Sequence, residues 1–103
     1  MTYKVILETP AVSDLRGILR YITHTLKEPE AAKRIYRSIK TQIMTLDQHP
    51  YRVKAVEMEP FASRGVRVLY VENYSAFYVI EEQAKTVHIL RVLYNRREWR
   101  NLL

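Results

Sequence analysis

The chain has 103 residues, enough for one core, and a single domain over residues 1–103 is expected. It contains no cysteine, which excludes disulfides and thiolate metal sites and fits a reducing cytoplasm, and no apolar run approaches the ~20 residues of a membrane span. The formal net charge of +6 suits an acidic partner such as nucleic acid or an acidic protein, although charge alone is equally compatible with no special partner.

The first half of the chain predicts a strand followed by two amphipathic helices. Residues 3–8 are apolar and β-branched, which is typical of a short buried strand. Thr9 is the predicted N-cap of the first helix and Pro10 its first helical residue. Pro29 ends this helix and begins a second one, so the two form an antiparallel hairpin. The apolar stripes are Val12, Leu15, Leu19, Ile22 and Leu26, then Ala32, Ile35 or Tyr36, Ile39, Ile43 and Leu46.

The second half predicts a loop and three strands. Residues 51–63 show weak periodicity and are predicted to be mostly loop, with room for a short strand at 52–56. Residues 65–72, 74–80 and 86–93 are rich in β-branched and aromatic side chains and are separated by short turns, which predicts an antiparallel meander.

These elements define an α+β fold in the order β-α-α-β-β-β with a short C-terminal helix at residues 97–102. The antiparallel helical hairpin is expected to cover one face of a small antiparallel sheet that also includes the N-terminal strand. The other face of the sheet is expected to be free to meet a partner.

Signatures of common enzyme classes are missing from the sequence. With two glycines in the whole chain, a phosphate-cradling loop is excluded. The three histidines, His24, His49 and His88, share no metal-ligand spacing, so neither a metal nor another cofactor is expected. His88 alternates with apolar residues and is interpreted as a partly buried structural residue. Glu57 and Glu59 form a carboxylate pair, for which solvated loop acids are the commoner interpretation.

Arginine and aromatic residues are concentrated at the C-terminus. Guanidinium groups bind phosphates and aromatic rings stack on bases, so this composition favours a target-binding or partner-binding surface over a solvated edge. Arginines of the first meander strand are expected to share a sheet face with it, because the first and third strands both flank the second. The predicted surface, here called the basic patch, comprises Arg64, Arg67, Arg91, Tyr94, Arg96, Arg97, Trp99 and Arg100.

Three stretches resemble the RelE/ParE superfamily of toxins from bacterial type II toxin–antitoxin modules. They read YKVILETPAVSDLRGILRYI, SRGVRVLYVENYSAFYVI and ILRVLYNRREWRNLL, and together they cover nearly the whole chain. The last is similar to the ParE-type ending of Arg-Val-Leu, an aromatic residue or histidine, and two basic residues. The resemblance implies a small cytoplasmic toxin neutralised by a co-encoded antitoxin, which wraps a helix and an extended segment around it. Operator DNA would be contacted only through the antitoxin.

The two branches of the superfamily imply different targets. RelE-like members cut mRNA on the ribosome, whereas ParE-like members inhibit DNA gyrase and are not enzymes. RelE-like enzymes resemble one another in an arginine just after the aromatic residue of the second meander strand, and here that position is Ser75. The missing guanidinium favours the ParE-like branch. If the chain instead cuts RNA without a metal, the catalytic candidates are Arg67, Tyr94, Arg96 and Glu59 or its neighbour Glu57.

Overall fold

A computed structural model describes residues 2–95 of the chain. Outside this range lie the predicted C-terminal helix and four residues of the basic patch: Arg96, Arg97, Trp99 and Arg100.

The order of helices and strands is the predicted one. The elements are β1 (Lys4–Leu7), α1 (Thr9–Arg20), α2 (Pro29–Met44), β2 (Arg67–Val71), β3 (Tyr74–Glu81) and β4 (Thr86–Tyr94). Helix α1 continues into a π-helical turn at Tyr21–Thr25, and α2 is followed by a 3₁₀ turn at Thr45–Asp47.

The start of α1 differs by one residue from the prediction. Glu8, not Thr9, is the N-cap, and Thr9 is already helical. The backbone N–H of Glu8 donates to the carbonyl of Ile89 at 2.9 Å, so the chain stays extended through Glu8 as a continuation of the pairing of β1 with β4. The Glu8 carbonyl then accepts the N–H of Val12 at 3.1 Å, which closes the first turn.

The end of the first helix is wider than a regular α-helix. In the π-helical turn, the N–H of Leu26 donates to the carbonyl of Tyr21, five residues back, at 3.0 Å. The extra residue rotates Leu26 away from the stripe that contains the buried Leu15 and Ile22, and Leu26 is 49% exposed. The prediction that Leu26 lies in the core is therefore wrong. As predicted, the helix ends just before Pro29, where Lys27 adopts a left-handed φ of 57°.

The sheet has four strands in the order β1-β4-β3-β2. Strands β2, β3 and β4 form the predicted antiparallel meander, whereas β1 pairs with β4 in parallel, so the whole sheet is mixed. An irregularity in register between Phe77 and Tyr78 of β3 leaves Leu90 as the extra residue of β4. The expected short strand at 52–56 is reduced to a single bridge between Ala55 and Arg67.

The main core lies between the helical hairpin and one face of the sheet. It includes Leu15, Ile39 and Ile43 from the helices and Tyr78 and Ile89 from the sheet, all with little or no exposed surface. The hydroxyl of the fully buried Tyr78 donates to the carbonyl of Pro50 at 2.7 Å, and burial raises the pKa of this phenol to about 12. This hydrogen bond attaches the segment after the second helix to the centre of the sheet.

Replacing Tyr78 by Phe is expected to lower the free energy of unfolding by about 1–3 kcal/mol, because the buried Pro50 carbonyl loses its donor. Urea denaturation monitored by circular dichroism measures the difference. Tyr70→Phe is the matched control, since Tyr70 is 69% exposed, and it should change stability by less than ~0.5 kcal/mol. Equal stabilities for the two variants would show that the hydrogen bond contributes nothing.

The opposite face of the sheet is not free, contrary to expectation. Phe61, in the segment that precedes β2, packs there with the buried Val66, Phe77 and Leu93 to form a second, smaller core. Weak periodicity in the sequence hid this segment, because its apolar residues cover the sheet as an irregular loop.

Candidate functional site

A cleft of ≈ 900 Å³ opens where the helical hairpin meets one end of the sheet. Residues of α1, the π-helical turn and α2 line it together with the start of β3 and the end of β4. The π-helical turn shapes this cleft, since it directs Tyr21 and Leu26 outward, where they are 54% and 49% exposed. Concave sites with exposed apolar side chains between helices are typical docking sites for an amphipathic helix.

Two tyrosines form the sheet side of the cleft. Tyr74 and Tyr94 are cross-strand neighbours whose ring centroids lie 5.6 Å apart in an edge-to-face arrangement. Burial is the main cause of the raised pKa of Tyr74, so the ring presents a neutral phenol. Tyr94, a predicted patch residue, is therefore part of the cleft.

A salt bridge ties the rim of the cleft to the sheet. Arg34 of α2 donates to the carboxylate of Glu72, in the turn between β2 and β3, at 2.9 Å. Hydrogen bonds from Arg34 first and from Ser38 second lower the pKa of Glu72. The pair links α2 to the end of the sheet at the rim of the cleft.

Asp14 of α1 makes a second link between helix and sheet. Its two carboxylate oxygens accept hydrogen bonds from Arg91, each at 2.7 Å, and one of them also accepts the backbone N–H of Val92 at 3.0 Å. The side chains of Asp14 and Arg91 are only 13% and 23% exposed, and the bond to Asp14 raises the pKa of Arg91. Arg91, predicted as a patch residue, therefore has a structural partner inside the protein.

Each of the three described arginines of the basic patch contacts another group within the protein, and their sharing one target-binding surface stays a prediction. Arg67 donates to the carbonyl of Val53 and lies 5.0 Å from the centre of the Tyr51 ring. Arg64 precedes β2 rather than belonging to it, and its guanidinium lies over the ring of Phe61. Strand β3 separates both from Arg91 on β4. The alternating pattern of the strands could not reveal that each guanidinium already has a neighbour.

The catalytic candidates are also not brought together within residues 2–95. Arg67 lies opposite Tyr78 of β3, and Tyr94 lies opposite Tyr74 of the same strand. These two positions on β3 are four residues apart, a distance of about 13 Å along the strand. Glu59 accepts a hydrogen bond from the hydroxyl of Ser63 at 2.6 Å and lies in the loop before β2. Arg96 is outside the described residues.

Ser75, at the position where RelE-like enzymes resemble one another in having arginine, is buried. Its hydroxyl donates to the side-chain carbonyl of Asn95 at 2.5 Å. The backbone N–H of Asn95 in turn donates to the carbonyl of Asn73 at 2.8 Å. The arrangement fixes the end of β4 and offers no cation to a phosphate at this position.

A cluster that sequence reasoning did not identify surrounds His88. The two nitrogens of its ring lie 2.8 Å from a carboxylate oxygen of Glu8 and 2.9 Å from one of Glu81. Only the imidazolium can donate to both, and the hydrogen bonds to Glu8 first and Glu81 second raise the pKa of His88. Glu8 is far from His88 in sequence and Glu81 lies across the β3–β4 hairpin from it, so no short spacing signals the cluster. Within residues 2–95 no group of His, Asp and Glu side chains has a metal-binding arrangement.

The stabilisation from His88 is expected to depend on pH. Because the pKa is raised on folding, the stabilisation is complete below the unfolded value of ~6.5 and is lost as the pH rises through the folded pKa. The His88→Gln variant should be less stable than the parent chain at pH ~5.5, by on the order of 1 kcal/mol given the exposed carboxylates, and the difference should shrink by pH ~9. Urea denaturation at several pH values measures it. His24→Gln, at an exposed histidine, is the control. A stability difference between His88→Gln and the parent chain that grows with pH would contradict the assigned hydrogen bonds of His88.

The fold is similar to that of solved toxin–antitoxin proteins. A chain of the chromosomal ParDE toxin–antitoxin system from P. aeruginosa superposes with a TM-score of 0.73 at 26% identity, over 90% of this chain and 96% of that one. A chain of the RelBE2 complex from Mycobacterium tuberculosis matches with a TM-score of 0.64 at 24% identity, over 91% and 92% of the two chains. A chain of the archaeal RelE–RelB complex from Pyrococcus horikoshii OT3 matches with a TM-score of 0.57 at 18% identity, over 94% and 99%. The last two show a shared fold.

The class of protein is thus the RelE/ParE superfamily of toxins. The model of the family described as the ParE toxin of the type II toxin–antitoxin system parDE matches residues 5–99, and the chain belongs to this family. No curated protein matches the sequence. None of the helices in the described part of the chain has the length and apolar character needed to cross a membrane.

Proposed function

We propose that this chain inhibits DNA gyrase by binding it, as the toxin of a type II module, and that it performs no chemistry of its own. Membership of the ParE toxin family supports the gyrase branch over the RNA-cutting branch. DNA breaks would follow because gyrase is trapped in its cleavage state. The protein would act in the cytoplasm.

The observation that carries the proposal is the environment of Ser75. Cleavage of RNA by the 2′-hydroxyl requires a group that stabilises the extra negative charge on phosphorus, and a guanidinium does this well. Ser75 is neutral, buried and hydrogen-bonded to Asn95, so it cannot take that role. The separation of Arg67 from Tyr94 also argues against a shared catalytic site.

The proposed partner is a cognate antitoxin, and the cleft is the surface that suits it best. The three superposed structures come from toxin–antitoxin systems, which supports such a partner here. An amphipathic helix of the antitoxin could place apolar side chains against Tyr21, Leu26 and Tyr94, all of which are partly exposed. Burying this apolar surface would favour binding by about 25 cal/mol per Å² before the loss of translational and side-chain freedom on association is subtracted.

The proposed gyrase contact is the C-terminal end of the chain, beginning at Tyr94. It carries Arg96, Arg97, Trp99 and Arg100, whose guanidinium and aromatic groups favour contact with a macromolecular partner. Since Tyr94 also lines the cleft, an antitoxin helix bound there would lie next to the gyrase contact and hinder it.

Induction of the toxin without its antitoxin, with two readouts in the same cells, tests the proposal. Gyrase inhibition predicts DNA breaks that remain covalently attached to gyrase, with intact translated messages by primer extension. Codon-phased cuts in mRNA without gyrase-linked breaks would overturn the proposal and establish the RNA-cutting alternative. Unimpaired growth of the induced cells would overturn both.

A further inference from the structure

The net positive charge of the described residues comes from the helical hairpin. Residues 9–44 contain seven Lys and Arg against three Asp and Glu, whereas the rest of the described chain contains seven of each. Two of the three acids in the hairpin already have basic partners, since Asp14 binds Arg91 and Glu30 lies 3.4 Å from Lys33. Of the seven bases, Arg34 is paired with Glu72 of the sheet region. The hairpin as a whole therefore carries a net positive charge, while the loop and sheet regions are balanced.

On α2 these charges form one row. Lys33, Arg37 and Lys40 are spaced four and three residues apart, which places them on the same side of the helix over about 10 Å of its length. All three are exposed. Arg37 and Lys40 take part in no ion pair with any other residue between 2 and 95.

From this separation of charge we infer that the outer face of α2 binds the phosphate backbone of double-stranded DNA directly and without sequence preference. The argument is charge complementarity: DNA carries a phosphate charge every ~1.7 Å along its axis, and each Lys or Arg that neutralises a phosphate releases a condensed counterion. Long basic side chains on a rigid helix can follow such a backbone. A protein interface instead normally has an apolar centre with charges at its rim. On this face, the ammonium of Lys40 lies 5.9 Å from the centre of the Tyr36 ring, so a cation covers even this aromatic side chain.

This inference goes beyond the proposed function. Gyrase inhibition would require contact with an enzyme, and operator DNA was expected to be reached only through the antitoxin. A direct contact with the phosphate backbone would hold the toxin on the DNA to which gyrase or the antitoxin is bound. The local concentration of toxin near that partner would then be higher.

The test is fluorescence anisotropy with a labelled mixed-sequence duplex and the full-length chain, repeated over a series of salt concentrations. Two variants with the same change in net charge are compared: Arg37→Glu/Lys40→Glu on the row, and Lys4→Glu/Lys54→Glu at exposed positions outside the hairpin. The row variant should lose at least about tenfold in affinity, and its slope of log K against log salt should fall by about 2. The control should lose less than about threefold. Thermal melting establishes that both variants are folded.

Equal losses for the two variants would overturn the inference, because they would show only an effect of net charge. Absence of duplex binding by the parent chain would overturn it too. A row variant that keeps its affinity for DNA but no longer binds purified antitoxin would assign this face to an acidic protein instead. The anisotropy assay contains no gyrase, so its results do not depend on whether the gyrase proposal is correct.

Discussion

Replacing Gly17 by Trp is expected to reduce antitoxin affinity by at least about 100-fold while the toxin remains folded. Gly17 lies on α1 in the wall of the cleft, is exposed, and has no atom within 4 Å of the position where a Cβ would be added. A Cβ can therefore be added there without a clash, and an indole directed into the open cleft would occupy the space that a bound helix needs. Isothermal titration calorimetry with the antitoxin measures the change.

Gly17→Ala is the matched control. The methyl group is too small to fill the cleft, so antitoxin affinity should stay within about threefold of the parent value. Alanine should also raise the free energy of unfolding by about 0.5–1 kcal/mol, since glycine is unfavourable inside a helix. Unchanged binding by the Trp variant would show that the antitoxin does not use this cleft.

Replacing Asp14 by Ala is expected to cost about 3 kcal/mol of stability and to lower the melting temperature by more than ~10 °C. The change leaves the largely buried Arg91 without its carboxylate and removes the acceptor of the Val92 N–H. Glu30→Ala, which removes an exposed carboxylate paired with Lys33, should change stability by less than ~0.5 kcal/mol. Differential scanning calorimetry compares the variants.

Removing both charges tests the cause. The double variant Asp14→Leu/Arg91→Leu should recover part of the loss, because the charge that Asp14 neutralises is removed as well and the leucines can pack against the core. A single Asp14→Ala variant as stable as Glu30→Ala would contradict the assigned role of Asp14. The Asp14–Arg91 ion pair also affects how toxicity data are interpreted, because an Arg91 variant that loses activity is expected to do so by losing stability.

The order of the elements could be predicted because it follows from local patterns. The apolar stripes of α1 and α2, Pro29 between them, and the alternation in β2 each depend on residues close together in sequence. The π-helical turn could not be predicted, because one extra residue per turn leaves the composition of the segment unchanged. Because of this turn, Leu26, which was predicted to lie in the core, instead lines the cleft.

The candidate site depended on contacts between distant parts of the chain. Asp14 and Arg91, and Glu8 and His88, are brought together only when β4 inserts between β1 and β3, whereas Glu81 reaches His88 across the β3–β4 hairpin. Sequence composition pointed to basic residues as candidates for a binding surface. It could not show which of them are already bound internally and which, like Lys40 on the outer face of α2, remain exposed.

Supercoiling by purified gyrase in the presence of increasing amounts of this toxin is the most direct test of inhibition by binding. We expect loss of supercoiled product together with accumulation of cleaved DNA attached to gyrase, and full recovery when equimolar antitoxin is added. Undiminished supercoiling at saturating toxin, with gyrase from the toxin's own host, would contradict the assignment of gyrase as the target.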